Sequence, residues 1–358
     1  MSLIKIAMLG MTHGHTRKYF QVLKENPNLD WVGVATDDAF ARENFYHNVS
    51  GVPCYDTANE LFEAHPDLQA VVIASENSKH FEDLSLCANR GLDVLMMKIP
   101  TFDMDEYNQM IDLVKKNKIV CQVELELHYN PVVNRLKEIV ASDKLGKLQA
   151  IQATNVTLCP AWAFPWQGSP EKSYGKRVRL SEANHRFRGG ALCDHPHIFD
   201  LVREMTGSEF EAVYAECAPN LRRDLEVEDM LAINARMKNG VYVSLDPSWS
   251  KQETKIPYPG PGWEVAPKRM EVNVTLCGEK GEVFADCFGP NVYHDGGPNN
   301  RYTVQYTYFD EWVGLMDEFI DCIRTRKTPH TNLESHKGTI EAMLACYESI
   351  ATGKVIRL

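Results

Sequence analysis

Ile4-Lys5-Ile6-Ala7-Met8-Leu9-Gly10-Met11-Thr12-His13-Gly14-His15 runs from a short apolar segment through a glycine into a stretch compatible with a helix. A strand that ends in a glycine turn and leads into a helix is the entry to a dinucleotide fold. There, a G-x-G-x-x-G turn lets backbone amides and a helix N-terminus approach a pyrophosphate. Only Gly10 stands in register here, with Thr12 in the place of the second glycine. Such a turn can precede any helix, so the fold rests on what surrounds it.

Outward from that turn, apolar runs alternate with helical stretches. Ile4 to Leu9, Trp31 to Ala35, Ala70 to Ala74, Asp93 to Met97 and Ile119 to Val123 read as strands, with helices over His15 to Glu25, Asp38 to Tyr46, Ser78 to Asn89 and Asp103 to Lys116. The alternation predicts an α/β fold whose N-terminal part, residues 1–124, is a doubly wound parallel sheet of the Rossmann kind. The second strand ends Val34-Ala35-Thr36-Asp37-Asp38, and a carboxylate there can accept hydrogen bonds from the ribose hydroxyls of a dinucleotide. No arginine follows directly to hold a 2′-phosphate, which favours NAD over NADP. Equally, both aspartates could do no more than cap the next helix.

After Val123 the pattern changes. A helix over Pro131 to Ala141 precedes β-rich runs at Leu148 to Val156, Phe210 to Cys217, Asp229 to Arg236, Val241 to Trp249, Glu271 to Cys277 and Glu282 to Asp286. The turn pairs Asn239-Gly240 and Lys280-Gly281 suit antiparallel hairpins. Residues 125–358 are therefore expected to form an α+β domain with a large, mainly antiparallel, open-faced sheet. Helices at Ile198 to Met205, Asp310 to Arg324 and Leu333 to Thr352 would cover one face and leave the other for a second subunit. The loop from Leu158 to Arg188 carries aromatic and arginine side chains of the kind that line binding sites.

Charge narrows the function. With 38 basic and 49 acidic residues the net charge is −11, and no basic run is long enough to track a phosphate backbone, which argues against nucleic acid. There is no run of about 18 apolar residues to span a membrane and no signal-like segment at the start, so a cytoplasmic protein is expected. The ten cysteines are scattered singly with no C-x-x-C. They read as reduced core residues, not as a zinc ribbon or a disulfide framework.

Several segments together resemble one family, usually called Gfo/Idh/MocA oxidoreductases. Ile73 to His80, ending Ser75-Glu76-Asn77-Ser78-Lys79-His80, is similar to its T-P-N-x-x-H turn, and Val94-Leu95-Met96-Met97-Lys98-Ile99-Pro100 to its V-L-x-E-K-P segment. His128-Tyr129-Asn130-Pro131 resembles R-F-N-P, and Gly189 to Asp200 resembles G-G-G-x-L-x-D-x-G-x-H-x-x-D. Val227-Glu228-Asp229, Ser248-Trp249, Gly278 to Gly281 and the tail from Tyr347 to Lys354 echo further positions in order.

The resemblance covers nearly the whole chain. It implies an NAD(P)-dependent dehydrogenase that transfers a hydride between a nicotinamide cofactor and a secondary alcohol of a sugar, polyol, inositol or sugar acid. It implies cofactor contacts from Gly10, Thr12, His13, Asp37, Asp38, Ser75, Asn77, His80 and Lys98, and substrate contacts from His128, Trp166, Arg186 and His195. Lys98 would hydrogen-bond the substrate and the cofactor ribose. Asp194 would hold a substrate hydroxyl and influence the proton affinity of His197, the general base. A homodimer or homotetramer through the open sheet is implied too, and no metal.

Four departures accompany the match. Thr12 replaces the second fingerprint glycine. Met97 and Ile99 replace the glutamate and proline around Lys98, removing an ion pair that would orient it. His128 stands for an arginine, and Asp194 and His197 are three residues apart instead of four, although either spacing puts both on one helical face. These departures keep open a nicotinamide-binding sensor, or a lyase or hydrolase that oxidises and re-reduces its substrate. A metal-dependent hydrolase or isomerase is a third reading, from His185, Asp194, His195 and His197 and from His13 and His15 near the turn. Imidazole and carboxylate are proper zinc or manganese ligands, but no H-E-x-x-H frame is present.

Overall fold

The computed structural model describes residues 2–45, 49, 51–160, 169, 172, 189–251, 270–289, 291–295, 301–305 and 310–358. The chain divides into two compact units. The first takes in Met1–Tyr129, Ala163–Arg179 and Asp310–Ile340, and the second Asn130–Trp162, Leu180–Phe309 and Glu341–Leu358.

In the first unit β1 (Ile4–Leu9), β2 (Leu29–Ala35), β3 (Cys54–Tyr55), β4 (Ala70–Ile73), β5 (Asp93–Met96) and β6 (Cys121–Val123) form a parallel sheet ordered β3-β2-β1-β4-β5-β6. Strands β4 and β5 are buried at every residue, as central strands covered on both faces must be. The five strands read from sequence are all present. The edge strand β3 is additional, pairing Cys54 with Val34 and Tyr55 with Ala35. Helices α1 (Thr16–Glu25), α2 (Ala39–Phe45), α3 (Ala58–Ala64), α4 (His80–Ala88) and α5 (Met104–Asn117) connect them. Strand order reverses between β1 and β4, the point outside which open α/β sheets bind ligands.

The second unit holds α6 (Pro131–Ala141), α7 (Ala191–Asp194) and α8 (His197–Thr206). Its strands are β7 (Leu148–Thr157), β8 (Phe210–Cys217), β9 (Leu231–Met237), β10 (Tyr242–Asp246), β11 (Met270–Gly278), β12 (Gly281–Asp286), β13 (Asn291–Asp295), β14 (Arg301–Gln305) and β15 (Ile356–Arg357). They make one sheet ordered β14-β13-β12-β11-β7-β10-β9-β8-β15. Neighbours are antiparallel except β10 with β7. Along β9 buried and exposed residues alternate without a break, the pattern of a sheet covered on one face only. Helix α8 packs on β7 and β10, and α6 on β12.

One expectation needs correction. The helix expected over Asp310 to Arg324 forms as α9 (Glu311–Thr325), but it packs in the first unit and not on the antiparallel sheet. Trp312, Leu315, Met316, Phe319 and Ile320 recur at helical spacing and share one buried cluster with Tyr19, Phe20 and Leu23 of α1 and with Ile6 and Met8 of β1. Burying each such side chain stabilises by roughly 1.5–3 kcal/mol. Helix α10 (Leu333–Thr352) follows.

In the second unit Glu228 is wholly buried. Its carboxyl accepts Gly190 N–H at 3.1 and 3.2 Å, Leu192 N–H at 3.1 Å and the Tyr347 hydroxyl at 2.8 Å. A Cβ on Gly190 would lie 2.0 Å from the Glu228 carbonyl oxygen, so only glycine fits that turn. Glu228→Ala leaves three buried donors without an acceptor and is expected to cost on the order of 3 kcal/mol or more. Denaturant unfolding checks this, and a midpoint equal to wild type would show that the turn holds without the carboxylate.

Candidate cofactor site and active-site residues

Strand β1 stops at Gly10, where φ is +77° and a Cβ would lie 2.5 Å from both the Cα and the N of Ser75. Only glycine allows the turn to pass this close to the end of β4. Gly10 N–H donates to Ala35 O at 2.8 Å, and the amides of Thr12 and His13 donate to Ala74 O at 3.1 and 3.3 Å. Two amides of the fingerprint turn are thus already engaged by the residue that follows β4.

Beside this turn lies a pocket lined by Gly10, Thr12, Asp37, Asp38 and Ser75, five of the residues expected from sequence. Thr36, Asp56, Glu76, Lys79, Glu82 and Asp83 also line it. The two aspartates after β2 divide their work. Asp38 accepts Ala41 N–H at 2.7 Å and so caps α2. Asp37 pairs with Lys79 at 3.0 Å, and the hydrogen bond from that ammonium holds its carboxyl below the usual range. Asn77 and His80 are buried outside the pocket lining. The His80 ring faces Ile99 O at 2.9 Å and Ser75 O at 3.1 Å, tying the turn after β4 to the segment that follows Lys98.

Ser75 Oγ donates to Asp83 Oδ2 at 2.6 Å, and burial pushes the Asp83 carboxyl from 3.8 up to about 6. The folded chain therefore holds this proton more tightly than the unfolded chain does. The group favours folding below pH about 4, and that advantage is lost as pH rises to about 6. Asp83→Asn keeps an acceptor for Ser75 and is expected to be more stable than wild type above pH 6, by about 3 kcal/mol. Unfolding curves at pH 4 and 7.5 test this, and the same difference at both would exclude titration as the cause.

A second constellation in the first unit was read from sequence only in its histidines, and its carboxylates were not. Gln122, Glu124, Glu126 and His128 form a period-two row of polar residues leading out of β6, and all four are buried. Glu124 Oε1 lies 2.9 Å from Nδ1 of His15, and the His13 and His15 ring centroids are 4.9 Å apart. The His15 ring also meets Trp312 edge-on at 4.8 Å. Burial, and then the neighbouring Glu124 charge, hold the Glu126 carboxyl well above the ordinary range, while His15 and Lys98 act in the opposite direction. Lys98 itself is buried just past β5. The Lys98 charge therefore acts on Glu126 from another element, against the burial that keeps this carboxyl protonated. The His128 ring packs edge-on against His330, with centroids 5.0 Å apart.

In the second unit the spacing argument for Asp194 and His197 fails. Asp194 ends α7, His195 leaves the helical region at φ −118° and ψ 56°, and α8 begins afresh at His197. Pro196 is the cause, since the residue before a proline is driven out of the helical conformation. Asp194 Oδ2 accepts the Trp249 indole N–H at 2.9 Å. His195 Nε2 lies 3.4 Å from the same oxygen, while its Nδ1 donates to Pro247 O at 2.6 Å. The carboxylate that was expected to serve His197 therefore neighbours His195. His197 is buried at the first turn of α8. Trp166, His185 and Arg186 lie outside the described residues. None of the ten cysteines forms a disulfide, and among the described residues no helix is long and apolar enough to cross a membrane.

A parallel sheet with a glycine-gated pocket at its carboxyl edge, followed in the chain by an open mixed sheet, defines a dinucleotide-binding α/β class. Residues 4–125 match the oxidoreductase family with an NAD-binding Rossmann fold, and residues 133–284 match the GFO/IDH/MocA C-terminal domain. The chain belongs to the GFO/IDH/MocA family of oxidoreductases. It is 23% identical over 314 residues to myo-inositol 2-dehydrogenase of Thermotoga maritima, covering 85% of this chain and 84% of that one. It is 22% identical over 319 residues to D-xylose 1-dehydrogenase (NADP(+)) 2 of Haloferax volcanii, covering 89% of each. Among solved structures, myo-inositol 2-dehydrogenase from Lactobacillus plantarum superposes with a TM-score of 0.76 at 17% identity, covering 100% of both chains.

Proposed function

We propose that this protein is a dehydrogenase that moves a hydride between a nicotinamide dinucleotide and a secondary alcohol of a sugar, polyol, inositol or sugar acid. The observation that carries the reading is the convergence of Gly10, Thr12, Asp37, Asp38 and Ser75 on one pocket at the carboxyl edge of the parallel sheet. The residues fit a dinucleotide at its ribose end, where Gly10 clears the approach and carboxylates face the pocket. Bound there, the dinucleotide would supply the hydride acceptor. His197 takes the hydroxyl proton, Asp194 holds a neighbouring hydroxyl, and Lys98 hydrogen-bonds the substrate oxygen.

Among the described residues, six carboxylates line the pocket (Asp37, Asp38, Asp56, Glu76, Glu82 and Asp83) with the Lys79 ammonium, while Arg42 pairs with Asp56 and Lys172 with Glu76. That balance opposes a 2′-phosphate and favours NAD over NADP. Calorimetry with both dinucleotides, followed by a panel of inositols, polyols, sugars and sugar acids, tests the reading. Failure of both dinucleotides to bind at millimolar concentration would end it. The engagement of the Thr12 and His13 amides by Ala74 O favours a second reading, a nicotinamide-binding protein without net turnover. NADH fluorescence with no oxidation across the panel would select it.

The relatives named as inositol and xylose dehydrogenases support the sugar-like substrate class. Assembly follows from the open sheet. Tyr242, Phe284 and Tyr293 stand exposed on its open face, at 56, 37 and 42%, and an apolar surface of that kind fits a homodimer or homotetramer. Light scattering decides between these and a monomer.

A further inference from the structure

The turn that departs most from the dinucleotide fingerprint carries two imidazoles, and the fold brings a buried carboxylate to them. The donor atoms of His13, His15 and Glu124 all lie within 4.8 Å of one another. We propose that these three side chains bind one divalent transition-metal ion of the zinc class. The proposal stands on these residues alone and does not depend on the dehydrogenase reading.

Ligand chemistry comes first. Two imidazoles and one carboxylate are a recurrent protein ligand set for zinc sites that keep an open fourth position. Spacing comes next. His15 Nδ1 and Glu124 Oε1 are 2.9 Å apart, so the pair must open by about 0.5 Å to reach the roughly 3.4 Å that separates two ligands about 2.1 Å from a tetrahedral ion. A metal would replace the proton the two atoms now share, and binding would release it. His13 is the ligand that must adjust, because its Nδ1 now accepts the His15 amide at 3.2 Å. That amide contact would have to give way if Nδ1 turned to the ion.

The surroundings favour a cation. Glu124 is fully buried, and the carboxyl of Glu126, itself buried, lies beside it. Trp312 packs on the His15 ring and restricts its orientation, as the supports of metal-binding imidazoles commonly do. The ligands come from two elements of one unit, the turn after β1 and the residue just past β6. An ion there would stitch those two elements together.

The test uses untagged full-length protein freed of metal with a chelator and then removed from it. Zn²⁺ is titrated by calorimetry, and Co²⁺ is followed by its visible ligand-field bands. One ion per chain is expected, with bands of a tetrahedral or five-coordinate site. His15→Ala and Glu124→Gln should each weaken binding by about 100-fold or more, while His65→Ala, a histidine outside the cluster, should not. Circular dichroism confirms that each variant is folded. If Glu124→Gln unfolds, His13→Gln gives the same reading from the third ligand. Absence of stoichiometric binding in the wild type, or binding that survives in His15→Ala, overturns the proposal. NADH fluorescence measured on the metal-free protein shows separately whether the dinucleotide reading holds.

Discussion

Replacing His197 by alanine is expected to lower turnover by about 10²- to 10⁴-fold, the range a positioned acid–base group contributes, with NAD affinity nearly unchanged. His197 stands at the first turn of α8, immediately after the proline that breaks the chain out of α7. The neighbouring His195 is the necessary control, because its ring lies 3.4 Å from Asp194 and is anchored on Pro247 O. A base whose Nδ1 is already fixed by a carbonyl has Nε2 as its working nitrogen, and that nitrogen faces Asp194. Steady-state kinetics of both variants separate the two histidines. A large loss in His195→Ala beside normal turnover in His197→Ala would transfer the role of base to His195.

Gly10→Ala is expected to be the most damaging single methyl in the first unit. The new Cβ would meet the Ser75 backbone at 2.5 Å, and Gly10 has φ +77°. Strain at positive φ costs about 1–2 kcal/mol, and overpacking against backbone adds roughly 1–3 kcal/mol. The turn must retreat from β4, which breaks the amide contacts to Ala74 O and distorts the pocket. Both a lower unfolding midpoint and a loss of NADH fluorescence enhancement are expected. Normal binding in this variant would show that the dinucleotide does not approach Gly10.

Much of this was legible beforehand because burial on both faces writes itself as continuous apolar runs, and β4 and β5 were read that way. Strand β3 was not, since two residues after Pro53 carry no periodicity. Strands β13 and β14 flank Gly296-Gly297-Pro298-Asn299-Asn300, a composition that reads as loop and hides the ladder beside it. Parallel pairing of β10 with β7 inside an otherwise antiparallel sheet has no local signature, because pairing direction is set by connections and not by side chains. The pocket residues were found because turn chemistry is local. Glu124 and Glu126 were missed because carboxylates at a strand end are ordinarily solvated. The signal that was there is the run of alternate polar residues Gln122, Glu124, Glu126 and His128, which begins on β6 and continues into the 3-10 turn Glu126–Tyr129.

The return of α9 to the first unit bears on how the molecule is made. On the ribosome the parallel sheet emerges long before Trp312, Leu315 and Phe319 are translated, so the nascent N-terminal half waits with an apolar flank uncovered. Folding of that half is therefore completed only after the segment from Trp312 to Ile320 has been made. A fragment ending at residue 124 is expected to aggregate or to be degraded, and a prematurely terminated message would yield no working nucleotide-binding half.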